Sequence, residues 1–414
     1  MNNFLAHNDE IRKEILSKIS KSSVDDLFEQ IPLQARMQGL QLKEPLSELQ
    51  VQKKIKALAK KNNTDLITFL GAGVYNKFIP AAISQVAQRF EFLTAYTPYQ
   101  PEISQGSLQI MYEYQTMVCR LTGMDIANAS VYDGATACAE AILMASRISK
   151  KQKAIVLNTI NPEYKDVIKT YTWASGIEIN WCDEIPQETS DYACVLIQNP
   201  NFYGEIQEIL PQNTLLIVCA DLASLGVIEP PRCADIVVGD IQGLGIPMSF
   251  GGPHAGFMAC KEKYMRQLPG RLAGRTVDAD GKQAFTLTIQ TREQHIKREK
   301  ATSNICSNQA LIALCATLYL SLVGEKGFKQ ASLLSMKHAH VLAKKLTDIG
   351  THIKNTNFFN EFVIETKNSD EVLQKLRGNG IVGGLKLNDK EILVCATEMN
   401  TEDEIELYVN TLKN

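Results

Sequence analysis

A glycine-rich run from Gly239 to Gly256, GDIQGLGIPMSFGGPHAG, is the stretch of this chain best suited to holding a ligand. Clustered glycines supply positive-φ turns and let a backbone press close against another group. The run lacks the Lys-Ser/Thr ending of a phosphate-binding P-loop, and the chain has no strand-GxGxxG-helix fingerprint. Nicotinamide chemistry is therefore disfavoured. A second candidate is Gly134-Ala135-Thr136 after Asp133, where small residues open a helix. Free N–H groups and a hydroxyl at a helix start suit a phosphate, although Asp133 is equally an ordinary N-cap. Third, Asp221 follows the apolar run Val218-Cys219-Ala220. A carboxylate at a strand end can pair with the protonated ring nitrogen of pyridoxal phosphate, or simply accept from nearby backbone.

Such groups need a scaffold, and the hydropathy pattern supplies one. Short β-rich runs (Ala154 to Leu157, Glu178 to Trp181, Ala193 to Gln198, Leu215 to Cys219, Asp235 to Val238, Gly256 to Cys260) alternate with segments of helical period such as Thr136 to Ile148. Buried apolar strands separated by helices predict a mostly parallel sheet covered on both faces. A long helix is expected from Asn308 to Val323. Beyond it, helices Ala331 to Leu346, Ser369 to Arg377 and Glu402 to Leu412 alternate with strands Phe362 to Glu365 and Glu391 to Cys395.

The first sixty residues read differently. Ile11, Ile15 and Ile19 recur on one helical face behind Asn8; Ser22 and Ser23 suit a second short helix ended by Pro32; and Ser47 with Gln50 is a capping-box signature for a third. The expected organisation is an N-terminal helical arm at 1–63, a large α/β domain at 64–327 and a small C-terminal α/β domain at 328–414.

Composition narrows the class. The 414 residues carry 43 Lys and Arg against 46 Asp and Glu, so no basic excess invites nucleic acid. No breaker-free run of about 20 apolar residues is evident, which predicts no membrane span. The N-terminus lacks a secretory pattern, and the ten cysteines form no CxxC pair. Core thiols in a reducing, cytoplasmic compartment are expected, with no metal site, because the six histidines do not pair with cysteine at ligand spacing.

Longer strings add a resemblance. FLGAGVY from Phe69, YTPYQPEISQGSLQ from Tyr96, QNPNFYG from Gln198, the Gly239 to Gly256 loop, GRTVDADGKQAF from Gly274 and REKATSNICSNQAL from Arg298 resemble the fold-type I pyridoxal phosphate enzymes. Within these the chain is similar to the glycine cleavage system P-protein family, in its version split between two chains. The resemblance spans essentially the whole length and is to the N-terminal half-type chain. One departure matters. Relatives that form a Schiff base carry a lysine just upstream of an IP-x-GGP-like stretch, and here that place is held by Gln242. A carboxamide is not nucleophilic and forms no aldimine.

The resemblance therefore implies a fold-type I chain that has lost its covalent anchor and works as the alpha subunit of an α2β2 heterotetramer. A lysine-bearing subunit 2 would hold pyridoxal phosphate covalently. The assembly would decarboxylate glycine and pass the aminomethyl group to the lipoyl arm of the H-protein. Fold-type I sites form where two subunits meet, so a lysine-less copy can lend side chains across the interface. Candidates are Tyr96, Tyr99, Gln100, Glu102, Ser104 and Gln105, whose phenols, amides and carboxylate could orient a substrate or a lipoyl sulfur. The bland alternative is interface packing alone. Arg298 and Lys300 are candidates for a carboxylate or phosphate, against a capping role before the Asn308 helix. Gly134, Ala135, Thr136 and Asp221 would be vestiges of a cofactor site. Two other functions remain open on sequence: a docking or scaffold protein for a lipoyl carrier, and a stand-alone enzyme of the pyridoxal phosphate fold.

Overall fold

The structure, a computed structural model, describes residues 8–37, 39–40 and 42–413. The outer ends of the expected arm and C-terminal domain, residues 1–7 and 414, lie outside the described residues. The chain divides into two units, Met1–Thr64 and Asp65–Asn414.

In the first unit, helix α1 (Asp9–Lys18) is capped by Asn8, whose Oδ1 accepts from the Ile11 N–H at 2.9 Å. Helix α2 (Glu48–Ala59) has the Ser47–Gln50 capping box closed in both directions. The expected helix between them is a single tight turn at Asp25–Phe28. The N–H groups and hydroxyls of Ser22 and Ser23 all donate to the Asp26 carboxylate, a local network that competes with helix formation.

The second unit is built on seven strands: β1 (Ile126–Ala127), β2 (Lys153–Leu157), β3 (Glu178–Cys182), β4 (Cys194–Asn199), β5 (Leu215–Ala220), β6 (Ile236–Asp240) and β7 (Gly256–Cys260). Their order is β1-β7-β6-β5-β4-β2-β3. The five central and far strands pair in parallel, while β7 runs antiparallel to both β6 and β1. Alternate residues feed two cores. Ile155, Leu157, Val195, Ile197 and Val218 point to one face, and Ala154, Val156, Leu196, Ile217 and Cys219 to the other. Burial on both faces is why these strands read as unbroken apolar runs. Helix α3 (Gln105–Thr122) packs on the first face, and α4 (Gly134–Ser149) and α5 (Pro162–Ser175) on the second. A hairpin, β8 (Ala273–Val277) with β9 (Gln283–Leu287), lies beside α3.

The polypeptide then enters α6 (Ala310–Asp348), where the sequence suggested two helices parted at Gly324. Gly324 has non-helical backbone (φ 60°, ψ −179°), so two helices meet at a kink there, as the sequence suggested. By length and composition alone this element is apolar enough to cross a membrane, although Gly324 interrupts it, so the expectation of no breaker-free span is not overturned. Part of that apolarity is core packing: Ala313, Ala316 and Tyr319 sit in one core and Ala339, Leu342 and Leu346 in another. The last residues form an antiparallel sheet, β10 (His352–Ile353), β11 (Glu361–Glu365), β12 (Leu385–Asn388) and β13 (Glu391–Cys395), in the order β10-β11-β13-β12. Helices α7 (Ser369–Gly378) and α8 (Glu402–Lys413) complete it.

The segment after Asp65 ties the two sheets together. Ile67 and Thr68 pair in parallel with Ile381 and Val382, and the Cys395 N–H donates to the Phe69 carbonyl at 2.9 Å. Phe69 is fully buried, edge-on to Tyr408 at 4.8 Å. The FLGAGVY string thus runs from the small core straight to the carboxyl ends of the parallel strands, where open α/β sheets place ligands.

Candidate functional site

At those strand ends the structure collects Asp221 from the end of β5, Asp240 from the end of β6, Gln242 just beyond it, and Tyr75 from the crossing segment. Gly239 makes the approach possible, since a Cβ on it would lie 2.2 Å from the Ala220 carbonyl oxygen. Gln242 is 1% exposed and its amide is saturated. Oε1 accepts from the Tyr75 N–H at 2.8 Å, while Nε2 donates to the carbonyls of Tyr75 and Ile246, both at 2.9 Å. The side chain therefore behaves like a strand neighbour, clamping Tyr75 to the glycine-rich loop.

Carboxylates fill the rest. Asp240 accepts from the Gln242 N–H at 2.7 Å and the Gly134 N–H at 3.2 Å. Burial nevertheless pushes it up to about 7, the backbone bonds offsetting only part. Glu361, from β11, accepts from the Ala72 N–H at 2.5 Å and the Tyr75 hydroxyl at 2.7 Å, and burial pushes it to about 7 as well. Burial also raises Asp221, against the pull of Lys77; its Oδ1 accepts from the Ala223 N–H at 3.0 Å. Lys77 in turn is buried against Glu398 at 3.1 Å and the Ser335 hydroxyl at 2.9 Å. Burial works to raise Glu398, but Lys77 and the Phe78 and Ser335 bonds outweigh it and the acid is lowered.

These residues do not fit pyridoxal phosphate. The cavity among them is about 40 Å3, whereas an interior cavity that accommodates a single benzene ring is about 150 Å3. The phosphate position expected at Gly134, Ala135 and Thr136 is already taken. The Thr136 N–H donates to Asp133 at 2.7 Å and the Gly134 N–H to Asp240, while the Tyr164 hydroxyl would be 2.3 Å from a Cβ on Gly134. Ala135 is buried in the same helix start. The helix dipole that would bind an incoming anion is answered by the protein's own carboxylates. Of the vestigial candidates only Asp221 still opens onto the cavity, so the phosphate cradle read from the sequence is replaced by an internal cap.

A second region is open. Tyr96 is 87% exposed, and Gln100 and Glu102 are exposed beside it. Ser104 ends the loop without a side-chain cap bond to α3. Gln105 turns inward, with Nε2 donating to the Phe285 carbonyl at 2.9 Å and Oε1 accepting from the Phe285 N–H at 2.8 Å, which anchors the loop's base to β9. Tyr99 meets the 293–308 segment: its ring centroid is 5.1 Å from that of His295, and the Arg271 guanidinium lies 5.6 Å from its centre. Arg298 and Lys300 are exposed on that segment. Arg298 has φ 52° and ψ −121°, a conformation that costs a non-glycine residue energy. Ser303 reaches inward to Glu140 at 2.7 Å. The structure thus joins the two exposed motifs at one surface and leaves Gln242 and Asp221 in the interior. Sequence reading missed Arg271, Glu293 and Glu361, and held Tyr75 only as the end of the FLGAGVY string. Arg271, a lone charge in the apolar run LPGRLAG, carried the only usable signal.

Comparison with known proteins gives the family. Residues 2–412 match the family described as glycine cleavage system P-protein. The chain is similar to the probable glycine dehydrogenase (decarboxylating) subunit 1 of Desulforamulus reducens, 46% identical over 440 aligned positions covering 99% of both. The protein of that description from Geobacillus thermodenitrificans is 44% identical over 445 positions, covering 100% of this chain and 99% of the relative. A crystal structure of glycine decarboxylase (P-protein) of the glycine cleavage system, in inhibitor-bound form, superposes with a TM-score of 0.93 at 39% identity, covering 99% of each chain. A Burkholderia pseudomallei sphingosine-1-phosphate lyase matches with a TM-score of 0.65 at 11% identity over 92% of this chain and 93% of its own, which speaks to the fold alone.

Proposed function

The chain belongs to the glycine cleavage system P-protein family, and from that premise we propose that it is the lysine-less subunit of a glycine decarboxylase. Pyridoxal phosphate is held covalently by a lysine-bearing partner subunit, in an α2β2 assembly, and there supplies the electron sink that decarboxylation of glycine requires. The aminomethyl group then passes to the lipoyl arm of an H-protein. This chain contributes no covalent chemistry. The observation that carries the reading is the contrast at Gln242: an amide with every hydrogen bond satisfied, where attachment of the coenzyme needs a primary amine.

What the chain lends is surface. The loop from Tyr96 to Gln105 presents phenols, an amide and a carboxylate on a base fixed to β9, next to the cationic side chains of Arg298 and Lys300. Held against a partner's site, such groups orient a carboxylate substrate and exclude water, which lowers a barrier by positioning alone. The isoleucine at 103, 80% exposed, and Tyr96 give that surface the apolar area an obligate partner would cover.

Reconstitution tests the assignment. Mixing the purified chain with a lysine-bearing partner should give glycine–bicarbonate exchange that neither protein shows alone. The chain alone should show no absorbance near 400 nm that borohydride makes permanent. A docking protein would add nothing to the partner's activity, and a stand-alone enzyme would turn over unaccompanied; either result defeats the proposal.

A further inference from the structure

Arg271 has no role in the family resemblance or in the interior pocket, yet it is among the most committed side chains in the molecule. It is 4% exposed. One terminal nitrogen donates to Asn308 Oδ1 at 3.0 Å; the other donates to the Cys306 carbonyl at 2.7 Å and reaches the Tyr99 hydroxyl at 3.5 Å. Its Nε has no hydrogen-bond partner and lies 3.9 Å from Glu293 Oε2. Glu293, itself 8% exposed, leaves Oε1 unpartnered and sets Oε2 3.7 Å from His295 Nδ1. His295 stacks obliquely on Tyr99. Arg271 and His295 thus both meet Tyr99, and Glu293 stands against each of them.

A buried guanidinium that stands 3.9 Å from its carboxylate, with no hydrogen bond between them, is expensive to keep. Here it is held rigidly from below, because Asn308 Nδ2 donates to the Ala129 carbonyl at 2.9 Å, just past β1. The sheet edge thus fixes Asn308, Asn308 fixes Arg271, and Arg271 meets Tyr99, whose own loop is otherwise tied chiefly at Gln105. We propose that Arg271 is a positioning residue, setting the Tyr99 ring in the orientation in which it completes the partner's site. The proposal rests on the reading given under Proposed function. Lysine cannot substitute, since a single ammonium on a flexible stem cannot span Asn308, Cys306 and Tyr99 together.

The test uses Arg271→Lys, Tyr99→Ala and the double variant, each assembled with the lysine-bearing partner. Arg271→Lys should lower kcat/KM for glycine about tenfold or more, with the partner's coenzyme spectrum and the mass of the assembly unchanged. In the Tyr99→Ala background that loss should vanish, because the phenol it positions is gone. In the full chain without partner, backbone amides of 96–104 should exchange about tenfold faster in Arg271→Lys than in the parent. If Arg271→Lys fails to fold, Asn308→Ala keeps the charge, removes one strut and should give about a threefold loss with the same dependence on Tyr99. Unchanged exchange, or a loss that persists in full without Tyr99, overturns the proposal. A fully active Tyr99→Ala complex overturns instead the functional reading beneath it, and amide exchange then decides by itself whether Arg271 holds the loop.

Discussion

Two regions of this chain lie at opposite extremes of satisfaction. Around Gln242 nearly every donor and acceptor is answered from within: an amide clamps a backbone, carboxylates cap a helix, and the residual cavity is about 40 Å3. Around Tyr96 and Tyr99 large side chains stand in solvent over a rigid base. Under the proposed function, the difference assigns the working groups of this chain to its surface and not to its interior. An interior that has lost its reacting amine tends to close, because unpaired buried polar groups are costly. The exposed aromatic area at Tyr96 and Tyr99 is what the proposed partner would cover.

The comparison can be broken most directly at its closed side. Gln242→Lys should fail to bind pyridoxal phosphate covalently and should destabilise the chain by about 3 kcal/mol, since it removes the acceptor for the Tyr75 N–H and buries a charge. Denaturant unfolding and borohydride trapping measure both halves; a stable, trappable variant would sink the closed-pocket view. By contrast, Gln242→Ala should leave activity of the assembled complex within about tenfold, although stability drops.

At the open side, Tyr96→Ala with Tyr99→Ala should cost the assembled complex about a hundredfold in kcat/KM while changing thermal stability of the free chain little, because Tyr96 and the outer part of Tyr99 are solvated. Equal losses of stability and activity would show these residues to be packing and nothing more.

A subtler effect concerns pH. Asp240 and Glu361 titrate near 7 in the folded chain, well above their ordinary 3.8 and 4.5. Between those limits the folded state binds more protons at these two groups than the unfolded one, so their contribution to stability is fully present below about pH 4 and is lost as pH rises through 7. Glu361→Gln should flatten that decline in urea titrations at pH 5, 6, 7 and 8; an unaltered slope would exclude Glu361 as its source. Smallest of all, Arg298→Gly should relieve a positive-φ backbone and stabilise by about 1 kcal/mol. If activity falls while stability rises, the Arg298 side chain works at the partner's site; if both rise or activity holds, it does not.

How much of this could be read in advance differs by element. Six of the seven strands of the central sheet were legible nearly to the residue because strands buried on both faces leave continuous apolar runs, as in Cys194–Asn199 and Leu215–Ala220. Capping chemistry was equally local, and Asn8 and Ser47 do what their neighbours imply. The turn at Asp25–Phe28 was misread because side-chain bonds to Asp26 compete with a helix over only four residues. The span-like hydropathy of α6 needed the packing of both its halves before part of it could be assigned to the cores.

The amino-acid order alone determined that position 242 holds an amide, and no folding can make an amide into an amine. It also determined the alternation that builds the sheet, since side-chain periodicity is a property of consecutive residues. What only the folded chain decided was which distant groups meet: Glu361 with Tyr75, Asp240 with Gly134, Arg271 with Tyr99. Those pairings span 106 to 286 positions, and burial and charge act through space, so their partners are set by topology and not by neighbourhood along the polymer.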